Sequence, residues 1–208
     1  MSTTLEQNSY DVVIIGAGPS GTVAGAMLVD HGFSVLILEK QFFPRFSIGE
    51  SLLPQCMVFL KEAGLEDVVH TYAQQHGFQF KNGAAFHKKG KNTAFNFTEK
   101  FTDGPGTTYQ VKRAAFDKIL ADESQAKGVD IRYGHQVNNV ATLKPYVMLE
   151  VEDEKQQAYQ VTGKFLFDAS GFGRVLPRLL NLELASDFPV RHSFFGHFED
   201  GIDCSDFD

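Results

Sequence analysis

DVVIIGAGPSGTVAGAMLVDHGFSVLILEK, residues 11–40, is the stretch that decides the fold. A β-branched apolar run, Val12 to Ile15, passes at once into Gly16-x-Gly18-x-x-Gly21. A helical pattern follows, then a second apolar run, Val35 to Leu38, that ends in Glu39. Each glycine has a separate task in a strand–turn–helix unit. Gly16 permits the tight turn out of the strand, Gly18 lets the backbone approach a diphosphate, and Gly21 lets the helix pack closely on the sheet. The helix N-terminus then turns its N–H groups toward the phosphate charge. Glu39, 18 positions after Gly21, stands at the tip of the second strand, where a carboxylate accepts hydrogen bonds from a ribose hydroxyl. A glycine triplet alone reads equally well as an ordinary turn. Between a strand and a helix, with an acidic residue at that distance, it reads as a dinucleotide site.

The rest of the chain is compatible with such a site and excludes several alternatives. With 208 residues, 43% of them hydrophobic, there is enough chain for one full core or for a domain and part of a second. A formal charge of −7, with no basic helix or lysine run, argues against nucleic acid as a partner. The apolar runs are too short to span a bilayer, and the polar start MSTTLEQNSYD lacks the apolar region of a signal peptide, so no membrane association and a cytoplasmic location are expected. Cys56 and Cys204 lie far apart without metal-type spacing and read as reduced thiols.

The apolar patterning predicts strand 11–15, helix 19–31, strand 34–39, helices 52–61 and 65–74, strands near 77–86 and 92–98, a short strand before helix 114–126, and strands 129–133, 136–143, 147–152 and 158–168. LKPY at 143–146 and DEKQQ at 153–157 read as the turns of an antiparallel meander. The expected architecture is α/β: a Rossmann-like dinucleotide-binding domain, formed by residues 1–75 and, after an inserted antiparallel substrate-side sheet at 76–108, by residues 109–208.

Which dinucleotide is bound is read further along. FPRFSIGESLLP, residues 43–54, follows the second strand, and here the chain resembles the flavin-dependent halogenases within the larger group of FAD monooxygenase-like enzymes. In those proteins a G-E-S-L-x-P stretch lies beside the flavin, and it stands here as Gly49-Glu50-Ser51-Leu52-Leu53-Pro54. Read physically, Arg45 can meet a phosphate or the flavin edge, and Ser51 can cap a helix beginning near Leu52; for Glu50 and Ser51, capping alone is an equal reading. YQVKRAAFDKIL, residues 109–120, resembles the segment from which an arginine reaches the cofactor, which implicates Arg113. KFLFDASGFGRVL, residues 164–176, reads as a buried strand, a glycine-rich turn and a helix, and resembles the second nucleotide-contacting motif through Asp168 and Gly171. Asp168 reads alternatively as a carboxylate at a helix N-terminus.

GFQFKNGAAF, residues 77–86, places Lys81 in a stretch that is otherwise apolar, small or uncharged. Halogenases of this kind carry a lysine a few residues before G-A-x-[FW], and Lys81-Asn82-Gly83-Ala84-Ala85-Phe86 matches that pattern. The resemblance implies that reduced FAD, supplied by a separate flavin reductase, oxidises chloride or bromide with oxygen. It also implies that Lys81 presents the resulting hypohalous acid, or a haloamine, to an aromatic substrate, phenolic or pyrrolic, free or tethered to a carrier protein. If 77–86 is one strand, period-two alternation puts Lys81 on a face with Gln79, Gly83 and Ala85, opposite Phe78, Phe80, Ala84 and Phe86. The competing reading is a solvated strand lysine, since Lys88, Lys89, Lys91 and Lys100 follow closely.

His192 and His197, five apart on an expected strand, face opposite sides and make no metal pair, and Phe194, Phe195 and Phe198 read as sheet core. The chain has no tryptophan, so the W-x-W-x-I-P motif of the family is missing, as are its third flavin motif and its downstream glutamate. It ends at GIDCSDFD without a closing element, which reads as a truncated protein. Two alternatives therefore stand beside a halogenase portion: an FAD-dependent monooxygenase or reductase on the same scaffold, in which Lys81 is incidental, and a non-catalytic FAD-binding fragment or partner subunit.

Overall fold

The structure, a computed structural model, describes residues 8–196, 199 and 201. Strand β1 (Ser9–Ile15), helix α1 (Pro19–Asp30) and strand β2 (Val35–Glu39) form the opening unit. Helices α2 (Gln55–Glu62) and α3 (Glu66–Ala73) follow, then short strands β3 (Gln79–Lys81), β4 (Gly83–Lys88), β5 (Lys91–Asn96) and β6 (Thr108–Gln110). Helix α4 (Arg113–Ala126) returns the chain to strands β7 (Asp130–Tyr133), β8 (Gln136–Leu143), β9 (Tyr146–Glu152) and β10 (Ala158–Asp168), and helix α5 (Val175–Leu179) comes last.

The main sheet has the order β7-β2-β1-β10-β9-β8. β7, β2, β1 and β10 run parallel, while β9 is antiparallel to β10 and to β8. β10 is eleven residues long because it serves two partners. Its first half, Ala158 to Gly163, closes the meander on β9, and its second half, Thr162 to Asp168, lies beside β1.

Why this sheet holds is visible in β2, whose five residues VLILE are all buried. A strand covered on both faces needs apolar side chains in both alternating sets. Toward the helices, Val35 and Ile37 join Val12, Ile14 and Ile131 against Ala121 and Val129. Toward the meander, Leu36 and Leu38 join Val13, Ile15, Leu149, Val151 and Val161, with Leu176 and Leu179 of α5 packed alongside. α1 comes close to the sheet through small residues, and a Cβ at Gly25 would lie 3.1 Å from Ile37 Cδ1. A third cluster joins the helices: Met57, Leu60, Leu65, Val69, Phe116 and Leu120 enclose Phe78, whose ring meets Phe116 edge-on at 6.2 Å.

The structure corrects the sequence reading in four places. α2 starts at Gln55, not at Leu52, because Pro54 disfavours helical geometry in the residue before it. Residues 77–86 are not one strand. β3 pairs with β6 and β4 with β5, in separate two-stranded sheets, and the chain breaks at Asn82, whose carbonyl accepts from Phe97 N–H at 2.7 Å. Gly83 allows the second pairing, since a Cβ there would stand 2.5 Å from Phe95 O. The end of β10 is not buried on both faces, for Phe165 is 61% and Phe167 40% exposed. Residues 191–196 form no strand, so Phe194 and Phe195 are exposed rather than core; His197, Phe198 and Cys204 lie outside the described residues.

Candidate functional site

The carboxyl ends of β1, β2 and β10 meet at one edge of the parallel sheet, where the chain leaves β1 for a helix on one side and β10 lies on the other. In open α/β sheets ligands occupy the crevice at such a switch point. Here the crevice encloses about 520 Å³ and is lined by Gly16, Gly18, Glu39, Arg45, Arg113 and Ser170, among others. The three glycines are needed for different reasons. Gly16 has φ +100°, and a Cβ there would sit 2.8 Å from Ala169 O. A Cβ on Gly21 would be only 2.0 Å from Gly16 O. Gly18 is otherwise: its Cβ would meet nothing nearer than Arg45 Nη2 at 3.8 Å, so the missing side chain leaves space on the crevice side.

Glu39 is buried with 6% exposure. Its Oε2 accepts from Ala17 N–H and its Oε1 from Gln41 N–H, both at 2.9 Å. The carboxylate thus ties the end of β2 to the glycine turn. An ionised carboxylate has about four acceptor positions, so two remain for a ribose.

Two arginines converge from different elements. Arg45 donates from Nη1 to Asp117 Oδ2 at 3.0 Å, stands 3.8 Å from Glu39 Oε2 and lies over the Phe43 ring at 4.6 Å. Its Nε is buried and unpartnered, alone in this among the described side-chain nitrogens and oxygens. Arg113 grips Asp117 with Nε at 2.8 Å and Nη2 at 3.0 Å, and its Nη1 donates to Ile48 O at 2.5 Å. Arg113, expected at the cofactor, thus commits three donors to the protein and keeps two. It also shapes the Gly49 turn: that residue has φ +112°, and a Cβ there would lie 2.7 Å from Arg113 Nη1.

The GES segment runs alongside β6 and joins it through a single β-bridge. Ser51 bridges Gln110, Leu52 N–H donates to Tyr109 O, and Val111 N–H donates to Glu50 O. Glu50 turns one oxygen back on Gly49 N–H at 2.9 Å. β3 occupies the other edge of β6, with Lys81 opposite Thr108. From there the Lys81 ammonium donates to Ser51 Oγ at 2.6 Å and to Leu52 O at 2.8 Å, with the Phe97 ring centroid 5.4 Å away. Two expectations change. Ser51 does not cap α2, which has no side-chain cap, but receives Lys81. Lys81 does not rise from a face of small residues, since Gly83 and Ala85 belong to another sheet; it is half-buried and tied directly to the GES segment. Cys56 lies nearby with Sγ 3.8 Å from Thr108 Oγ1, and burial pushes its thiol above the ordinary range.

Asp168 ends β10. Its Oδ1 accepts from Ser170 N–H and its Oδ2 from Leu176 N–H at the start of α5, both at 2.9 Å, which is the helix N-terminal role. Gly171 has φ +57°, and a Cβ there would meet nothing within 4 Å.

The donor set fits a dinucleotide: an open glycine turn, a buried carboxylate with spare acceptors, and an arginine with an orphaned N–H, all on one crevice. Sequence reasoning missed Asp117, 1% exposed and the common partner of both arginines. A signal for it existed. Asp117 sits between Phe116 and Ile119 on the apolar stripe of α4, four residues after Arg113, and a carboxylate on a buried face needs a cationic partner.

Residues 9–190 match a family described as the FAD binding domain. A flavin-dependent halogenase of Armillaria mellea is 34% identical over 78% of this chain and 32% of its own length. The 1H-pyrrole-2-carbonyl-[peptidyl-carrier protein] brominase of Pseudoalteromonas luteoviolacea is 36% identical over 83% of this chain and 40% of its own. Among solved structures, a flavoprotein/dehydrogenase from Cytophaga hutchinsonii superposes with TM-score 0.81 at 45% identity, covering 86% of this chain and 44% of that one. The chain therefore spans about a third to a half of the length of the curated relatives it matches.

Proposed function

The chain belongs to the FAD binding domain family, and from that premise we propose that it is the flavin-holding and lysine-bearing part of an FAD-dependent halogenase acting on an aromatic substrate. Bound FAD, delivered reduced by a separate flavin reductase, supplies with oxygen and chloride or bromide the electrophilic halogen. The residues of this chain hold and direct. Glu39 accepts from the ribose, while the Gly18 turn and Arg45 receive the diphosphate. Two of the three Lys81 N–H groups are taken by Ser51 and Leu52, and the third is left to hydrogen-bond a hypohalous acid. That tether carries the reading, because it fixes the ammonium to the GES segment, the stretch expected beside the flavin. The substrate proposed is phenolic or pyrrolic, free or carrier-tethered, and of these the pyrrolic, carrier-tethered form has support in the similarity to the 1H-pyrrole-2-carbonyl-[peptidyl-carrier protein] brominase.

A second reading is kept because the solved structure at 45% identity is described as a flavoprotein/dehydrogenase. In it the protein is a nicotinamide-linked FAD oxidoreductase and Lys81 only fastens β3 to the GES segment.

Lys81→Ala in the whole protein tests between them. The expected outcome is a fall in halogenated product of about 10²–10⁴, with FAD affinity near wild type and Lys88→Ala unaffected. Lys81→Arg should fail equally, since a planar guanidinium cannot place the same donor. Halogenation surviving in Lys81→Ala would remove Lys81 from the chemistry, and rapid NADPH oxidation by the whole protein without a reductase, with no halogenated product, would transfer the assignment to the second reading.

A further inference from the structure

We propose that Asp117 is a positioning residue for diphosphate recognition, holding Arg45 and Arg113 as a rigid pair at the glycine turn. The inference rests on FAD binding and not on halogenation, so the two fail separately.

Asp117 lies one turn into α4, 1% exposed, and its carboxylate oxygens accept from Arg45 and Arg113. Its two oxygens accept three guanidinium hydrogen bonds: Arg113 forks onto both, and Arg45 joins at Oδ2. Planar fork geometry fixes direction as well as distance. Arg45 is thereby held with Nη2 3.8 Å from the place of a Gly18 Cβ, the side from which a diphosphate comes closest to the backbone. Its buried Nε–H has no acceptor in the protein, and an unpartnered buried donor is unfavourable unless a ligand meets the group. Without the carboxylate, two like charges would face each other across a shared site, and the flexible side chains would separate. With it, and with Glu39 3.8 Å from Arg45, the two arginines and two carboxylates balance in charge, so the group recognises a diphosphate through the fixed direction of its N–H donors and not through net charge. Glu39 holds the glycine turn from the other side through Ala17 N–H, so the turn and the arginine that faces it are braced by two different buried carboxylates.

The test is equilibrium binding of ADP and of FAD to the whole protein, with Asp117→Asn, Arg45→Met and the double variant. ADP carries the diphosphate and the adenosine ribose without the flavin ring, so it reads the turn and Glu39 apart from the flavin contacts. Asp117→Asn preserves shape and removes charge; it is expected to weaken ADP and FAD by a similar factor of about ten or more. In the Arg45→Met background the same change should alter ADP binding less than about threefold, because Asp117 acts through Arg45. A role limited to packing α4 would lower thermal stability yet leave the effect of Asp117→Asn the same in both backgrounds, and that result overturns the proposal. If Asp117→Asn does not fold, Arg45→Lys decides: it keeps the charge, loses the fork, and should weaken ADP by about tenfold. ADP binding equal to wild type in both Arg45→Lys and Arg45→Met overturns it as well.

Discussion

The opening β1–α1–β2 unit and the β4–β5 hairpin are built on opposite terms. In β2 every side chain is buried, whereas in β4 and β5 not one is, and Phe86 and Phe95 stand 58% and 68% exposed. The first unit derives its geometry from packing on both faces; the second is held by six cross-strand residue pairs and little else. The difference shows where chemistry can be placed cheaply. Lys81 stands between them, on β3, and its position comes from neither the hairpin nor the sheet core but from β6, which carries β3 on one edge and the GES segment on the other.

The largest effect is expected where two glycines of one motif part company. Gly21→Val should prevent folding, because a Cβ has no room 2.0 Å from Gly16 O, and circular dichroism of the variant would show it. Gly18→Val should fold and lose FAD, since its Cβ points into space the protein leaves free. Tight FAD binding in a folded Gly18→Val would break the assignment of the crevice. Titration of wild type with FAD and FMN sharpens the same point: FMN lacks the adenosine half that Glu39 is placed to meet, so it should bind more weakly.

Next in size is the contrast in stability. Leu36→Ala, at a fully buried position, is expected to cost about 2–5 kcal/mol by denaturant unfolding. Phe95→Ala, in the exposed hairpin, should cost about 0.5 kcal/mol or less. Equal losses would mean that the hairpin is covered in the whole protein.

Ser51→Ala addresses the strand between them. Removing one of the two acceptors of Lys81 should lower halogenated product about tenfold, with less effect on flavin oxidation, as the ammonium loses its direction. A change confined to FAD affinity would assign Ser51 to the cofactor instead. The smallest effect concerns Cys56. Burial raises its thiol above the ordinary range, so the reactive thiolate is scarce at neutral pH and grows only as pH rises through that raised value. Labelling of Cys56 by iodoacetamide, followed by mass spectrometry, should be slower than in the denatured protein at pH 7 and again slower than in the denatured protein at pH 9; labelling as fast as in the denatured protein at either pH would contradict that burial.

The sequence by itself determined the strand–turn–helix, the steric need for glycine at Gly16 and Gly21, Glu39 at the end of β2, and the meander with its turns. These are local matters: φ angles, steric room and alternation act between residues close along the chain, and the residue types disclose them. The tertiary structure alone decided that Lys81 reaches Ser51, 30 positions away, and that Asp117 joins Arg113 to Arg45 across 72. It alone broke 77–86 at Asn82 and left Phe165 and Phe167 open. The physical reason is common to all of these. A long polar side chain has several acceptors within its chemical reach, and an apolar strand several possible faces, and which is met depends on which distant elements the core brings alongside.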